Sequence, residues 1–309
     1  MKDGRTTLYP MVQFKKDTWE IDEFDVASMY LLIGNEKAML IDCGMGIGDL
    51  RGAVERITDK PLIVVGTHGH LDHTANAIQF EDFWLHPEDQ AAPIPQDYRR
   101  RIFDIGRIAA RQKGCIGAPY TMFHLYPYDI NHDVRDYPED WPRPKLHDLY
   151  DGQEFDLGGR IIKVYTCPGH SKGQVAFLDS KTRSLFCGDA VNFNLGINAC
   201  PVETGLNSLK KLQSLQDQYD GIYNGHHDFR ALGKPLDPDC LPTLISMLEK
   251  VVETGTYTET TDPSFWGQNI PLTYDPEDHD FGKPKRACIR AGRCWVFIDP
   301  KRIYNEPAN

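Results

Sequence analysis

Thr67-His68-Gly69-His70-Leu71-Asp72-His73 sets three imidazoles and a carboxylate within one short run. Imidazole nitrogen and carboxylate oxygen are the donors that divalent zinc accepts, and they serve iron as well. The chain has only 11 histidines, so such a cluster is hard to reach by chance; the plain alternative is a solvated polar loop. Three more candidates stand downstream. They are His170 in Cys167-Pro168-Gly169-His170-Ser171, Asp189 in Phe186-Cys187-Gly188-Asp189, and His226 in Asn224-Gly225-His226-His227-Asp228. A glycine precedes each, which permits close or unusual backbone geometry. Singly, each reads as an ordinary polar turn residue; in this order they read as a divided donor set. A divalent cation so held would be the centre of the chemistry.

Donors scattered over the chain need strands to aim them. Residues 62–66 (LIVVG) read as a buried strand that runs straight into the histidine cluster. Two apolar runs, 29–34 and 37–42, predict a hairpin; 47–57 looks helical and 83–86 reads as another strand. The block 154–188 holds FDLGG, IIKVYT, QVAFLD and SLFCG, each bounded by glycine or polar turns. With a short strand over 221–223, every downstream candidate falls just after a strand. Helices are predicted over 206–219, with 206, 209, 212 and 215 on one face, and over 241–252, capped by Asp237-Pro238. Strands followed by helices, twice over, suggest two sheets sandwiched between helices. Residues 93–149 break the rhythm with a basic helical stretch (98–113) and a proline- and aromatic-rich loop, and read as an insertion. The tail, 261–309, ends in a predicted hairpin of 287–290 and 294–299.

Composition narrows the function. Apolar residues at 40% and charged residues at 26% exclude a disordered or collagen-like chain. The 309 residues fit one large α/β unit or two average domains; the reading taken is a single domain, 1–309. A net charge of 34 − 45 = −11 argues against a nucleic-acid partner. No apolar leader and no run of about 18 apolar residues stand in the sequence, so neither secretion nor a membrane partner is expected. Eight cysteines without a CxxC pair read as reduced thiols. A cytoplasmic location is expected.

The HxHxDH run at His68–His73, the PGH at Pro168–His170, the GD at Gly188–Asp189 and the GH at Gly225–His226 resemble the metallo-β-lactamase-fold hydrolase superfamily, its glyoxalase II and lactonase-like branch. The early LIDCG at Leu40–Gly44 resembles the family's strand-turn aspartate motif, which puts Asp42 behind the metal ligands. The likeness covers about residues 25–230 apart from the insertion. It implies an α/β four-layer αββα sandwich, here with an inserted segment and a short C-terminal extension, and a binuclear metal centre on its edge. Carried over residue by residue, one metal takes His68, His70 and His170. The other takes Asp72, His73 and His226, and Asp189 bridges them. The metals would be two zinc ions, with iron or manganese suited to the same donors. Asp72 would also pass a proton to the leaving group. The implied activity is hydrolysis of a small-molecule ester, lactone or thioester, with two cations lowering the pKa of a bridging water to give a hydroxide nucleophile and polarising the substrate's carbonyl or phosphoryl oxygen; the rival is an iron-dependent, sulfur dioxygenase-like oxidoreductase on the same scaffold. Position 70 is histidine, whereas flavodiiron members of the fold usually place glutamate there. No basic glutathione-binding motif is matched in the tail.

Other residues carry two readings. His226 is favoured over His227 as ligand, leaving His227 behind it or on the surface, and Asp228 orients one of them or is a surface acid. His86, His124, His132, His147 and His279 lack metal-type spacing. Cys43, Cys167 and Cys187 sit beside the motifs and read first as packing residues. Lys172 reads as a solvated charge or a contact for an anionic substrate, and Arg99-Arg100-Arg101 as a solvated helix face. Phe103, Tyr120, Phe123, Tyr126, Tyr128, Tyr137 and Trp141, with Phe265, Trp266 and Tyr274, would line a lidded pocket, fill the insertion's own core or form a homo-oligomer contact.

Overall fold

The structure, a computed structural model, describes residues 4–90, 105, 128–137, 140–197, 199–227, 230–260 and 286–305. A seven-stranded mixed sheet follows the order of the chain: β1 (Met11–Lys15), β2 (Thr18–Asp22), β3 (Ser28–Ile33), β4 (Ala38–Ile41), β5 (Leu62–Val65), β6 (Asp82–Leu85) and β7 (Lys145–Asp148). Its first four strands are antiparallel, and β4 to β7 run parallel. The second sheet is built from β8 (Glu154–Asp156), β9 (Ile161–Thr166), β10 (Val175–Asp179), β11 (Ser184–Gly188) and, beyond β12 (Asn194–Ile197), β13 (Gly221–Asn224). Its spatial order is β13-β11-β10-β9-β8. A smaller sheet joins β12 to β14 (Thr258–Thr260), β15 (Arg286–Ala291) and β16 (Cys294–Ile298).

The two-residue period of the strands decides which side chains meet. Tyr30 and Leu32 of β3, with Met39, Ile41 and Val65, face Val164, Val175, Phe177 and Phe186 of the second sheet and form the central core. The alternate residues Met29, Leu31, Leu40 and Val64 point the other way, onto Leu50, Ala53 and Val54. On the far side, Ala176, Leu178, Leu185 and Cys187 pack against Leu206, Leu209, Leu212, Leu244 and Leu248, joined by Val296 and Ile298 of the small sheet. The αββα layering expected from the sequence is therefore the layering found.

Arg160 fastens the two sheets at the end remote from the histidines. Its buried guanidinium donates from Nε and Nη2 to Asp179 Oδ2 (3.2 and 2.6 Å) and from Nη2 to Thr18 Oγ1 (2.7 Å). Nη1 donates to the carbonyls of Asp17 (2.7 Å) and Ile33 (3.1 Å).

Several boundaries differ from the sequence reading. The first helix is only Leu50–Glu55, capped by Asp49, because Ile47 is engaged elsewhere: its N–H donates to Glu23 and it bridges Val134. The next long helix runs Val202–Gln213, so it starts before Leu206 and ends before Leu215. The last helix is Cys240–Thr254 with Asp239 at its N-cap, which leaves Pro238 ahead of it rather than in its first turn. Residues 145–148, read as the end of the insertion, pair with β6 as the last strand of the first sheet. β15 and β16 form the hairpin expected in the tail. The stretch 98–113 apart from Ile105, Phe103, Tyr120, Phe123, His124, Tyr126, Phe265, Trp266, Tyr274 and His279 lie outside the described residues; of the aromatics expected at a lid, Tyr128 packs on Phe24, and Tyr137 on Trp141. Among the described residues no helix is long and apolar enough to cross a membrane.

Candidate metal centre

The seven residues singled out in the sequence come together where both sheets present strand ends. His68 to His73 follow β5 and start the short helix Leu71–Thr74; His170 follows β9, Asp189 follows β11 and His226 follows β13. Main-chain bonds lock these ends: Val175 N–H to Thr67 O (2.8 Å) and Ser28 N–H to Gly225 O (2.7 Å) cross the sandwich, and Gly225 N–H to Gly188 O (2.9 Å) extends the pairing of β13 with β11. Three triads result: His68, His70 and His170; His68, His73 and Asp189; Asp72, His73 and His226. In each, the candidate donor atoms lie within 4.8 Å of one another. His70 Nδ1 is 2.9 Å from His170 Nε2. His226 Nε2 stands 3.4 Å from both Asp72 Oδ2 and Asp189 Oδ2, and His170 Nε2 is 3.6 Å from the latter.

Hydrogen bonds on the outer side decide which nitrogen points inward. His170 Nδ1 donates to Gly196 O (3.0 Å) and His226 Nδ1 to Val26 O (2.8 Å), since a carbonyl only accepts. His73 Nδ1 donates to Asp42 Oδ2 (2.9 Å). Thr67 spends its hydroxyl proton on Asp42 Oδ2, so at 3.1 Å its oxygen accepts from His68 Nδ1. Four imidazoles thus turn Nε2 toward one point, and Nε2 of His68 and of His73 and Oδ1 of Asp189 are buried there without a hydrogen-bond partner.

The glycines ahead of Asp189 and His226 are needed for contact. Gly188 has φ +48°, and a Cβ on it would fall 2.2 Å from Thr67 Oγ1. A Cβ on Gly225 would fall 2.4 Å from His73 Cε1.

Electrostatics sort the group into two kinds. Burial, reinforced by His73, His70 and His170, holds His68 well below the ordinary imidazole value. Burial and His70 take His170 down to about 4. Burial also pushes His73 down, but Asp72, Asp42 and Asp189 together outweigh it and raise it to about 9. Burial works against ionising Asp72 and Asp189, yet His73 and His226, joined by His170 at Asp189, hold both well below the carboxylate range.

The residues behind the cluster were only partly foreseen. Asp42, expected there, accepts from Thr67 N–H (2.7 Å) as well as from His73, and sits at φ +64°, a conformation that Asp tolerates better than most residues. His227 is buried and turned away, 3.1 Å from Asp25 Oδ1 and 3.8 Å from Asp22 Oδ1, in a second small group of donors. Asp228 lies outside the described residues. Asp89, not singled out in the sequence, accepts from Gly69 N–H, Ser171 Oγ and Gly173 N–H.

Arg230 was also missed. It holds the His226 turn onto β2 through Glu20 (2.6 and 3.0 Å) and donates to Asn224 Oδ1 (2.9 Å). Burial pushes the Glu20 carboxyl up, but Arg230 outweighs it and the pKa lies below the ordinary value. A carboxyl depressed on folding adds stability above its unfolded pKa of about 4.3, and that stability is lost as the pH falls through the folded value. The urea midpoint should therefore drop as the pH falls below about 4.3. Glu20→Gln should lower the midpoint at neutral pH and flatten its acid slope; an unchanged acid slope would remove Glu20 from this account.

A cavity of about 410 Å³ opens beside His70, lined by Gly69, Glu88, Asp89, Ser171, Lys172, Ala199 and Arg302. Lys172 is exposed there. The described cysteines are unpaired and buried. Burial raises the thiols of Cys43 and Cys167 strongly and that of Cys187 to about 12, so none supplies a thiolate at neutral pH.

A sequence profile of the metallo-beta-lactamase superfamily matches residues 22–227, a span that contains all seven of these residues. The chain belongs to the metallo-beta-lactamase superfamily. Among curated members, an acyl-coenzyme A thioesterase, MBLAC2 of Bos taurus, is 27% identical over 180 residues, covering 53% of this chain and 58% of the relative. A hydroxyacylglutathione hydrolase of Aliivibrio fischeri is 32% identical over 134 residues, covering 41% of this chain and 51% of the relative. The chain thus spans a little over half the length of the curated relatives it matches. The superfamily fold is also seen in a metallo-beta-lactamase from Pontibacter korlensis, with TM-score 0.51, 15% identity and coverage of 78% of this chain and 99% of that one. A metallo-beta-lactamase family protein from Thermus thermophilus gives TM-score 0.50 at 20% identity, covering 93% and 99%.

Proposed function

We propose that this superfamily member is a binuclear metal-dependent hydrolase of a small-molecule ester, lactone or thioester, its partner being neither nucleic acid nor membrane. One observation carries the reading: buried imidazole nitrogens and carboxylate oxygens converge with their outer hydrogen bonds already made, and Nε2 of His68, Nε2 of His73 and Oδ1 of Asp189 are left there without a hydrogen-bond partner. Such a donor set fits divalent cations, which imidazole and carboxylate bind together. His68, His70 and His170 would hold one, Asp72, His73 and His226 the other, with Asp189 shared between them. Zinc suits the set best; iron and manganese suit the same donors. The relatives' names, a thioesterase and a hydroxyacylglutathione hydrolase, favour a thioester among the three bonds.

When bound, the cations supply an acidified water and a polarised carbonyl. The chain supplies the rest. Asp42 fixes the tautomer and tilt of His73, and the carbonyls of Gly196 and Val26 do the same for His170 and His226. Asp72 is held ionised by His73 and His226 and is half-buried, so it starts as a proton acceptor facing the site. The proton it takes from the attacking water can then be delivered to the leaving sulfur or oxygen.

Elemental analysis of protein grown with zinc and iron both available tests the reading. About two zincs per chain, removed by chelator together with turnover of a thioester and restored by zinc, is the expected result. Predominant iron with oxygen consumption would overturn it in favour of oxidoreductase chemistry.

A further inference from the structure

We infer that Asp89 is a positioning residue that sets the spacing of His70 and His170 for cation binding, a role that rests on the reading of the site given above. The carboxylate is buried at the end of the 3-10 turn Pro87–Asp89 that follows β6. Its Oδ2 accepts from Gly69 N–H (2.9 Å) and Ser171 Oγ (2.6 Å), and its Oδ1 accepts from Gly173 N–H (2.9 Å). Gly69 precedes His70, whereas Ser171 and Gly173 follow His170. One anion therefore grips two loops that leave different sheets, and the rings those loops carry meet at 2.9 Å although 100 residues separate them in sequence.

The fit is specific to an aspartate. A Cβ on Gly173 would come within 2.7 Å of Asp89 Cγ, so glycine is what lets the carboxylate reach the Gly173 N–H. Asparagine has the same shape but only one accepting end. Ser171 can turn its hydroxyl to accept, but the two backbone N–H groups lie at opposite ends of the carboxylate and cannot both be satisfied by an amide. Among the described residues, the side-chain hydrogen bonds of Asp89 go only to the His70 and His170 loops. Asp72, His73 and His226 are held by other groups, so loss of Asp89 should separate the two halves of the centre.

The test is zinc titration of the full chain against a chromophoric chelator, with cobalt(II) absorption as a report on geometry. Asp89→Ala should weaken one zinc by about 10- to 100-fold, the range seen when an outer partner of a ligand is lost, and leave the other within about threefold. Its cobalt spectrum should change at the weakened site alone. Asp89→Asn should lie between wild type and alanine, and Ser171→Ala should cost a few-fold at the same site. Circular dichroism of the metal-free proteins shows whether each variant is folded. Two unchanged zinc affinities in folded Asp89→Asn would overturn the assignment, even if Asp89→Ala fails to fold. Equal weakening of both zincs would overturn it too, since that is what a general structural role produces. A wild-type chain that takes up no zinc would instead bring down the reading of the site itself.

Discussion

Asp189→Ala should remove more than about a hundredfold of hydrolytic turnover, the upper end of what losing a mere outer partner costs, and leave a folded chain. The reason is its place. Asp189 Oδ2 faces His226 at 3.4 Å, His170 at 3.6 Å and His73 at 3.8 Å, so it reaches donors of both proposed cation positions. On the proposed assignment its loss weakens both cation positions and removes the negative charge between them. Zinc raises the melting temperature of a chain that binds it by mass action, because the unfolded chain holds at most part of the site. The wild-type melting temperature should rise with added zinc, and the variant's should rise much less. Full turnover in Asp189→Ala would end the binuclear reading, whatever the variant's stability.

The largest loss of stability is expected far from the centre. Arg160→Met leaves the Asp179 carboxylate, fully buried, without the guanidinium it is paired with, and takes hydrogen bonds from Asp17 O, Ile33 O and Thr18 Oγ1. Breaking one side of a buried ion pair costs about 3–5 kcal/mol, whereas replacing both sides by apolar groups is often close to neutral. Arg160→Met should therefore lower the melting temperature by roughly 10 °C, and Arg160→Met with Asp179→Leu should recover part of that loss. Zinc stoichiometry should stay at the wild-type value, because the pair lies at the opposite end of the strands from the ligands. A fall in zinc content with the fold intact would show that the two ends are coupled.

What the sequence disclosed follows from where the information lies. The proposed ligands were legible because their chemistry is rare and they follow apolar strands, with His170, Asp189 and His226 each just after a glycine. His226 and His227 could not be told apart by type. Only the fold brings one to Asp72 and Asp189 and sends the other to Asp25. β2 was missed because Thr18, Glu20 and Asp22 are polar yet buried, which disguises the alternation that marks a strand. Glu20 can be buried because Arg230 meets it 210 residues later, a fact that no local window contains. Asp89 was hidden in the same way: in His86-Pro87-Glu88-Asp89 it looks like its exposed neighbour Glu88, and its partners belong to two distant loops.

The seam between the sheets also bears on how the chain reaches its native state. Half the centre is contiguous: His68, His70, Asp72 and His73 are already side by side in a nascent polypeptide, before β9, β11 and β13 exist. The remaining donors arrive only when the second sheet docks, and contacts such as His226 to Val26 close a span of 200 residues. Ring closures of that size are entropically slow to form. On the proposed assignment, a half-built chain would offer a cation its first four donors alone. Metal supplied during refolding would then compete with the docking of the two sheets, whereas metal supplied afterwards would meet a site that docking has already shaped.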